Sequence, residues 1–217
     1  MAHLRFLAVS VWAFSTLALL MVITISHRVL AADMTGWGEY IICPPAAKNT
    51  TFEQIAAGNY HTIALTTDGR VIGWGANWKS TAVAPAELTN VTTLTAAGSY
   101  NVVVKNDGTI FAWGDGYDGT TNVPPGLGSV TSIAAGDSHV LAIRSDSTVV
   151  GWGNNNHGKA TPPVGLSNVV AVSAGSYHSL ALKTDGTVVG WGAGSLDGVT
   201  NFPHSGQATV PSGLSNV

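Results

Sequence analysis

Ser173-Ala174-Gly175-Ser176-Tyr177-His178-Ser179-Leu180-Ala181-Leu182-Lys183-Thr184-Asp185-Gly186-Thr187-Val188-Val189-Gly190-Trp191-Gly192 is the cleanest copy of a unit that recurs along the chain. Earlier copies run from Ala57-Gly58-Asn59-Tyr60-His61 to Gly73-Trp74-Gly75, from Ala97-Gly98-Ser99-Tyr100-Asn101 to Ala112-Trp113-Gly114, and from Ala135-Gly136-Asp137-Ser138-His139 to Gly151-Trp152-Gly153. The tryptophans at 74, 113, 152 and 191 follow one another at a constant interval, and Trp37 precedes the first by nearly the same step. A fixed period of this length marks units that stack or radiate, each too small to bury its own apolar face.

Inside each unit the pattern is strand, turn, strand. His61-Thr62-Ile63-Ala64-Leu65 and Arg70-Val71-Ile72-Gly73-Trp74 flank Thr66-Thr67-Asp68-Gly69. Asp-Gly between two β-branched runs predicts a tight hairpin, because glycine accepts the positive φ such a turn demands. The dipeptide returns at Asp107-Gly108 and Asp185-Gly186, whereas Asp146-Ser147 lacks the glycine and predicts a strained or reshaped turn. The four tryptophans read as core, their flanking glycines letting neighbouring backbone approach the ring.

Each Trp-Gly is followed by a polar loop and a proline-bearing turn: Pro85-Ala86-Glu87-Leu88, Pro124-Pro125-Gly126-Leu127, Pro163-Val164-Gly165-Leu166 and Pro211-Ser212-Gly213-Leu214. Leu88, Leu127 and Leu166 keep the tryptophan step but Leu214 comes late, so nine residues are inserted within 193–207. Insertions in repeats map to surface loops. The repeats occupy 33–217, four periods from Trp37 to Trp191 and a partial fifth, about 4.6 in all. Trp37 is positioned to donate a closing strand, but the hairpin that should accompany it is missing, so the ring is expected to be incomplete or to be completed by another chain. An unclosed ring leaves strand edges open to pairing.

Composition agrees with an all-β chain rich in turns: 26 glycines among 217 residues, 10% charged residues and a mean hydropathy of +0.25. A net charge of −3 with nine Lys+Arg offers no electrostatic footprint for nucleic acid. Cys43 is the single cysteine, so no internal disulfide forms and it reads as a small apolar residue. Residues 1–32 read as a segment apart: a short positive start, an apolar run over 6–25, then Val29-Leu30-Ala31-Ala32 with small residues for cleavage. That layout is a signal peptide helix, and its length also suits a retained signal anchor, which would be the chain's one contact with a membrane. Either places the repeats outside the cytoplasm, secreted or on the cell envelope.

The pattern Ala-Gly-x-Tyr-His-x-Leu-Ala-Leu-x-x-Asp-Gly-x-Val-x-x-Trp-Gly resembles the repeat of the regulator of chromosome condensation family over residues 35–217. The resemblance implies an all-β β-propeller, seven-bladed in that family with four-stranded blades. The compact period, the export signal and the Val-Pro-x-x-Leu linkers look most like its secreted bacterial branch, which includes a propeller-type inhibitor of β-lactamases. It therefore implies a protein-binding role, with aromatics of the Ala-Gly turns on the gripping face. Guanine-nucleotide exchange, the role of the family's nuclear founder, finds no matching motif here.

Tyr60-His61, Tyr100-Asn101, Ser138-His139 and Tyr177-His178 are read as equivalent points of successive units, falling on a ring around one face. The tyrosines suit a partner surface, since Tyr and Trp dominate protein-protein hot spots. The histidines equally suit blade packing. A copied register explains the histidines without a metal, and Asp115-Gly116-Tyr117-Asp118-Gly119 lacks the alternating acids of a calcium loop. The insert carries Asp197, Phe202 and His204, the strongest break in repeat symmetry, and reads as a binding loop without a nucleophile motif. The expected function is a non-enzymatic module, without cofactor, that binds a protein partner, for instance inhibiting a secreted hydrolase; self-association to complete the propeller is a further expectation. The alternatives are a structural or adhesive segment of a longer surface protein and, more weakly, an enzyme using Asp197 and His204. A cleaved signal predicts a mature amino terminus at Ala32 or Asp33, checked by intact mass of the exported protein, whereas a terminus at Met1 marks a retained anchor.

Overall fold

A computed structural model describes residues 29–30, 50–194, 206–214 and 217. The repeat resolves into four antiparallel sheets. The first comprises β1 (Val29–Leu30), β2 (Thr51–Ala57), β3 (His61–Thr66) and β4 (Val71–Gly75). The second holds β5 (Val91–Ala97), β6 (Tyr100–Lys105) and β7 (Ile110–Gly114); the third β8 (Val130–Ala135), β9 (His139–Arg144) and β10 (Val149–Gly153). The fourth holds β11 (Val169–Ala174), β12 (His178–Lys183) and β13 (Val188–Gly192). Strand order follows chain order, with the middle strand of each unit paired on both sides. β1 falls at the end of the segment read as an export signal, and its backbone pairs with Thr51 and Phe52 of β2. The described residues form a propeller-like array of blades and do not close into a ring; Cys43 and the apolar run over 6–25 lie outside them. Among the described residues no helix is long and apolar enough to cross a membrane.

Two sets of backbone hydrogen bonds stitch each unit at its ends. At one end the residue after the Trp-Gly donates to the hairpin turn: Ala76 to Tyr60 O, Asp115 to Ser99 O, Asn154 to Ser138 O and Ala193 to Tyr177 O, all at 2.8 Å. At the other end each new inner strand hangs on the preceding blade's Asp-Gly turn. Val91 N donates to Gly69 O at 3.2 Å, Val130 N to Gly108 O at 3.0 Å and Val169 N to Ser147 O at 3.0 Å. The inner strand of each blade carries a register shift near its start, between Phe52 and Gln54, Val91 and Thr93, Val130 and Ser132, and Val169 and Ala171. Such bulges bend and twist a strand, which suits a blade that must splay from its neighbour.

The core is divided among the seams between blades. Ile63 and Leu65 of blade one pack with Leu88, Val91, Leu94 and Trp113. Tyr100, Val102 and Val104 of blade two meet Leu127, Val130, Ile133 and Trp152, and Leu141 and Ile143 of blade three meet Val169, Ala181 and Trp191. The alternation of β-strands explains the arrangement: odd and even residues of one middle strand serve opposite seams. The glycine before Trp74, Trp152 and Trp191 is required by close approach, whereas Ala112 stands at that place before Trp113. A Cβ on Gly151 would lie 2.3 Å from the carbonyl oxygen of Ala160, and one on Gly190 would lie 2.2 Å from that of Ala208. Gly73 meets Ala82 in the same way. Ala208 follows Ala160 by one period plus the length of the insert, so the chain beyond the insert re-enters the repeat in register. The insert's base is pinched, with Thr209 Oγ1 donating to Gly194 O at 2.7 Å.

The Asp146-Ser147 turn is strained without being reshaped. Ser147 adopts φ of 62° where Gly108 has 79° and Gly186 76°. Its N–H still donates to Arg144 O at 2.9 Å, and Asp146 Oδ1 still accepts from Thr148 N and Oγ1, as Asp185 does from Thr187. A left-handed residue with a Cβ costs about 1–2 kcal/mol, partly offset by the entropy a glycine loses on folding. Ser147→Gly should therefore raise the melting temperature by roughly 2–4 °C, for a gain of about 1 kcal/mol, read by calorimetry.

Candidate functional site: one aromatic face above the blade seams

The hairpin turns and the loops after the outer strands lie at the same end of every blade, because the bonds from Ala76, Asp115, Asn154 and Ala193 tie them together. Buried histidines form the floor of this end. His61 Nε2–H donates to Asn101 Oδ1 at 2.7 Å, and Asn101 Nδ2 donates to Thr81 O at 2.8 Å. Two units on, His139 Nε2–H donates to Ser179 Oγ at 2.8 Å, and Ser179 Oγ donates to Lys159 O at 2.8 Å. Each chain of bonds runs from one blade, through a side chain of the next, to the linker between them. The glycine of each Ala-Gly turn admits the imidazole: a Cβ on Gly58 or Gly136 would meet the His61 or His139 ring at 2.2 or 2.6 Å.

Tyr100 corrects the expected register. It pairs with Gly114 as His61 pairs with Gly75 and His139 with Gly153, so it occupies the histidine position. Ser99, one residue earlier, is the counterpart of Tyr60 and Tyr177. The second unit has one residue more in its inner strand and one fewer in its turn, which shifted the sequence alignment by one. Tyr100 is only 2% exposed, and its hydroxyl proton is shared between Gly136 O at 2.6 Å and His139 O at 2.8 Å. Asn101, His61 and His139 are buried too. None of these four can be a contact residue on an open face, whereas His178 is half-buried. Blade three has Val140 where its neighbours have Asn101 and Ser179, leaving no polar side chain for a histidine to reach. A tyrosine, longer and ending in a hydroxyl, reaches the backbone instead.

The exposed layer is aromatic. Tyr60 and Trp78 are each 64% exposed, and their rings meet tilted by 58° with centroids 5.4 Å apart. Tyr117, one period after Trp78, is 91% exposed. Tyr177 meets His157 edge-on at 6.3 Å and has Lys159 Nζ 5.6 Å from its centroid. Lys159 is buried, donating to Ser138 Oγ at 2.7 Å and Ser176 O at 3.0 Å. Burial lowers its pKa, opposed by the charges of Asp118 and Asp137. The loops that present these rings hold unusual backbone: Lys79, Ser80 and His157 have φ of 54°, 60° and 66°. Asp115 accepts from Lys79 Nζ at 3.1 Å and from Tyr117 N at 3.2 Å, and Asp118 accepts from Asn154 at 3.0 Å, so 115–119 is a bonded polar turn. Among the described residues no cluster of three His, Cys, Asp or Glu is placed to hold a metal.

Tyr60 and Tyr177 are thus the sequence-expected tyrosines that share this face. Trp78, Tyr117 and His157 were missed; Trp78 and Tyr117 occupy one repeat position, a periodicity of loop aromatics masked by the stronger tryptophan spacing. Asp197, Phe202 and His204 lie outside the described residues. Nearer the axis, a cleft of about 190 Å³ runs where the inner strands end, lined by small residues such as Ala57, Ala97, Ala135 and Ala174 with Asp137.

Three segments, 52–77, 130–159 and 169–196, match the Regulator of chromosome condensation (RCC1) repeat. Those three segments are similar to that repeat. The fold is similar to that of the Physcomitrella patens receptor kinase CR4 ectodomain, with TM-score 0.61 and 23% identity over 72% of this chain and 46% of that one. It is also similar to human WBSCR16, at TM-score 0.60 and 18% identity over 70% of this chain and 50% of that one. Prp20p from Saccharomyces cerevisiae, whose structure was described with its binding to Gsp1p and histones, matches at TM-score 0.58 and 21% identity, over 70% and 45% of the two chains. The chain spans about half the length of these structures. No curated protein matches it by sequence.

Burial, assisted by the nearby Lys159 and His178, pushes the His139 pKa down to about 3, and burial lowers those of His61 and His178. Unfolded histidines titrate near 6.5, so between that pH and the folded value the unfolded chain binds more protons. Stability should be full above about pH 6.5 and fall as pH drops toward 4, before the exposed carboxylates contribute. His139→Gln should lower stability at pH 7 by roughly 1–3 kcal/mol and flatten this slope, measured by urea unfolding across pH.

Proposed function

We propose that this protein is an exported, non-enzymatic RCC1-type repeat module that grips a partner protein with the aromatic face. The observation that carries the reading is the group Tyr60, Trp78 and Tyr117, large rings held in water on successive loops. Exposed Tyr and Trp on a rigid scaffold supply contact area at small entropic cost. Backbone strain at Lys79, Ser80 and His157 supports it, since left-handed non-glycine residues cluster where loops are shaped for binding.

A sharper form of the proposal places the protein in the secreted bacterial branch of the family, inhibiting an exported hydrolase such as a β-lactamase. The alternative is a structural or adhesive segment of a longer surface protein. A photo-crosslinking residue at Tyr117 should capture a discrete protein adduct from the native compartment, while one at Val164, on the opposite end, should not. The triple variant Tyr60→Ala, Trp78→Ala, Tyr117→Ala should weaken that complex at least about 100-fold with unchanged folding. Equal labelling from both ends removes the aromatic face as the contact. Nanomolar protein that leaves β-lactamases fully active removes the inhibitor version alone.

A further inference from the structure

Lys159 breaks the repeat at a buried position. One and two periods earlier the residue is Thr120 and Thr81, both buried, and each hydroxyl turns back on its own loop, to Asp115 O at 3.3 Å and Ala76 O at 2.9 Å. Lys159 is as buried as they are, at 2% exposed, but its side chain runs on to the turns of two blades. Nζ donates to Ser138 Oγ at 2.7 Å in blade three and to Ser176 O at 3.0 Å in blade four. Among the described residues no carboxylate stands within ion-pair distance of it. An ammonium here is stripped of water without a counter-ion in contact, which favours the neutral amine.

The hydroxyl against this amine lies where a reactant can meet it. Ser138 is half-buried in the turn between β8 and β9, next to exposed Asp137, at the loop end of the blades. Its N–H makes no hydrogen bond among the described residues, which leaves it for an oxygen that gains charge on attack. The groups around the amine pull both ways. Asp118, from the loop after β7, and Asp137 favour the ammonium, whereas burial opposes it more strongly and lowers the pKa. His139, on β9, has its own pKa held down to about 3 and carries no charge at pH 7. The Tyr177 ring lies 5.6 Å from Nζ, with His157 edge-on to that ring.

We infer that Ser138 is a nucleophile with Lys159 as its base, and that the pair takes an acyl group from a carboxylic ester onto the protein. A desolvated amine against a hydroxyl is an arrangement that activates serine without a histidine. As an ammonium, Nζ donates to both Ser138 and Ser176. As a neutral amine it keeps the bond to Ser176 O and accepts the Ser138 hydroxyl proton through its lone pair. The bond from Oγ to the acyl carbon forms as that proton passes to Nζ. The ester C–O bond then breaks and the departing oxygen takes the proton. The products are an acyl-serine and an alcohol, and Lys159 is left neutral. Blade two carries an internal control. Ser99 holds the turn position of Ser138, but Thr120 stands where Lys159 would be, so Ser99 has no amine. The inference concerns one acyl transfer to the protein itself and uses none of the exposed rings, so it stands apart from the partner-binding proposal.

Incubation with p-nitrophenyl acetate, followed in time by peptide mass spectrometry, should place an acetyl group on Ser138 and none on Ser99. The rate at Ser138 should rise with pH and level off below the ordinary lysine value of about 10.4, since the amine must be neutral. Lys159→Thr installs the residue that the fold accepts at this place in the two earlier seams. The circular dichroism spectrum should therefore not change, while acetylation of Ser138 slows at least about 100-fold. Lys159→Arg keeps a cation that does not give up its proton and should slow it as much. An unmodified Ser138, equal acetylation of Ser99 and Ser138, a rate still climbing above the ordinary lysine value, or a rate indifferent to Lys159→Thr or Lys159→Arg would each overturn the inference.

Discussion

Everything in this fold depends on the impossibility of burying a three-stranded blade alone. Each sheet has two apolar faces and no helix to cover either, so its only cover is the next sheet. The constant step from one tryptophan to the next is the length of chain needed to build one sheet and reach the start of the following one. Tryptophan closes each seam because its ring spans from the outer strand of one blade to the middle strand of the blade before. Its Nε1 then finds the linker: Trp152 donates to Thr120 O and Trp191 to Lys159 O, each at 2.8 Å. In the first seam the equivalent carbonyl, Thr81 O, accepts from Asn101 Nδ2, and Trp113 Nε1 has no hydrogen-bond partner.

The polar bonds beneath the aromatic face set the register between blades. Apolar contacts tolerate sliding, whereas a buried imidazole must meet an acceptor at one position. Seam two shows that the requirement is for a satisfied bond, not for histidine: where Val140 removes the acceptor, Tyr100 replaces the donor and reaches backbone carbonyls. Donor and acceptor change together across the seam. This floor is rigid and dry, and it frees the loops above it to vary, which is where Trp78, Tyr117 and His157 differ from one unit to the next.

A repeat array of this kind has an inherent problem at its ends, since the last trailing face and the first leading face are apolar. Natural arrays meet it with capping units, by closing, or by association.

The spacing of tryptophans and Asp-Gly turns determined the hairpin strands and their repeat, because hairpin geometry and residue period are local properties. The nine-residue insert was equally legible, and Ala208 resumes the contact that Ala160 makes one blade earlier. Strain at Ser147 was readable as well, since φ is set by a turn of four residues. What the linear sequence could not decide was exposure. Tyr60 and Tyr100 look alike beside their glycines, yet a one-residue exchange between strand and turn puts one in water and the other between blades. Alternation along a strand makes that difference absolute, because a shift of one residue exchanges the two faces. The pairing of Trp78 with Tyr60, and of His61 with Asn101, joins residues of separate segments or separate blades. Only the packing of sheet on sheet brings them together.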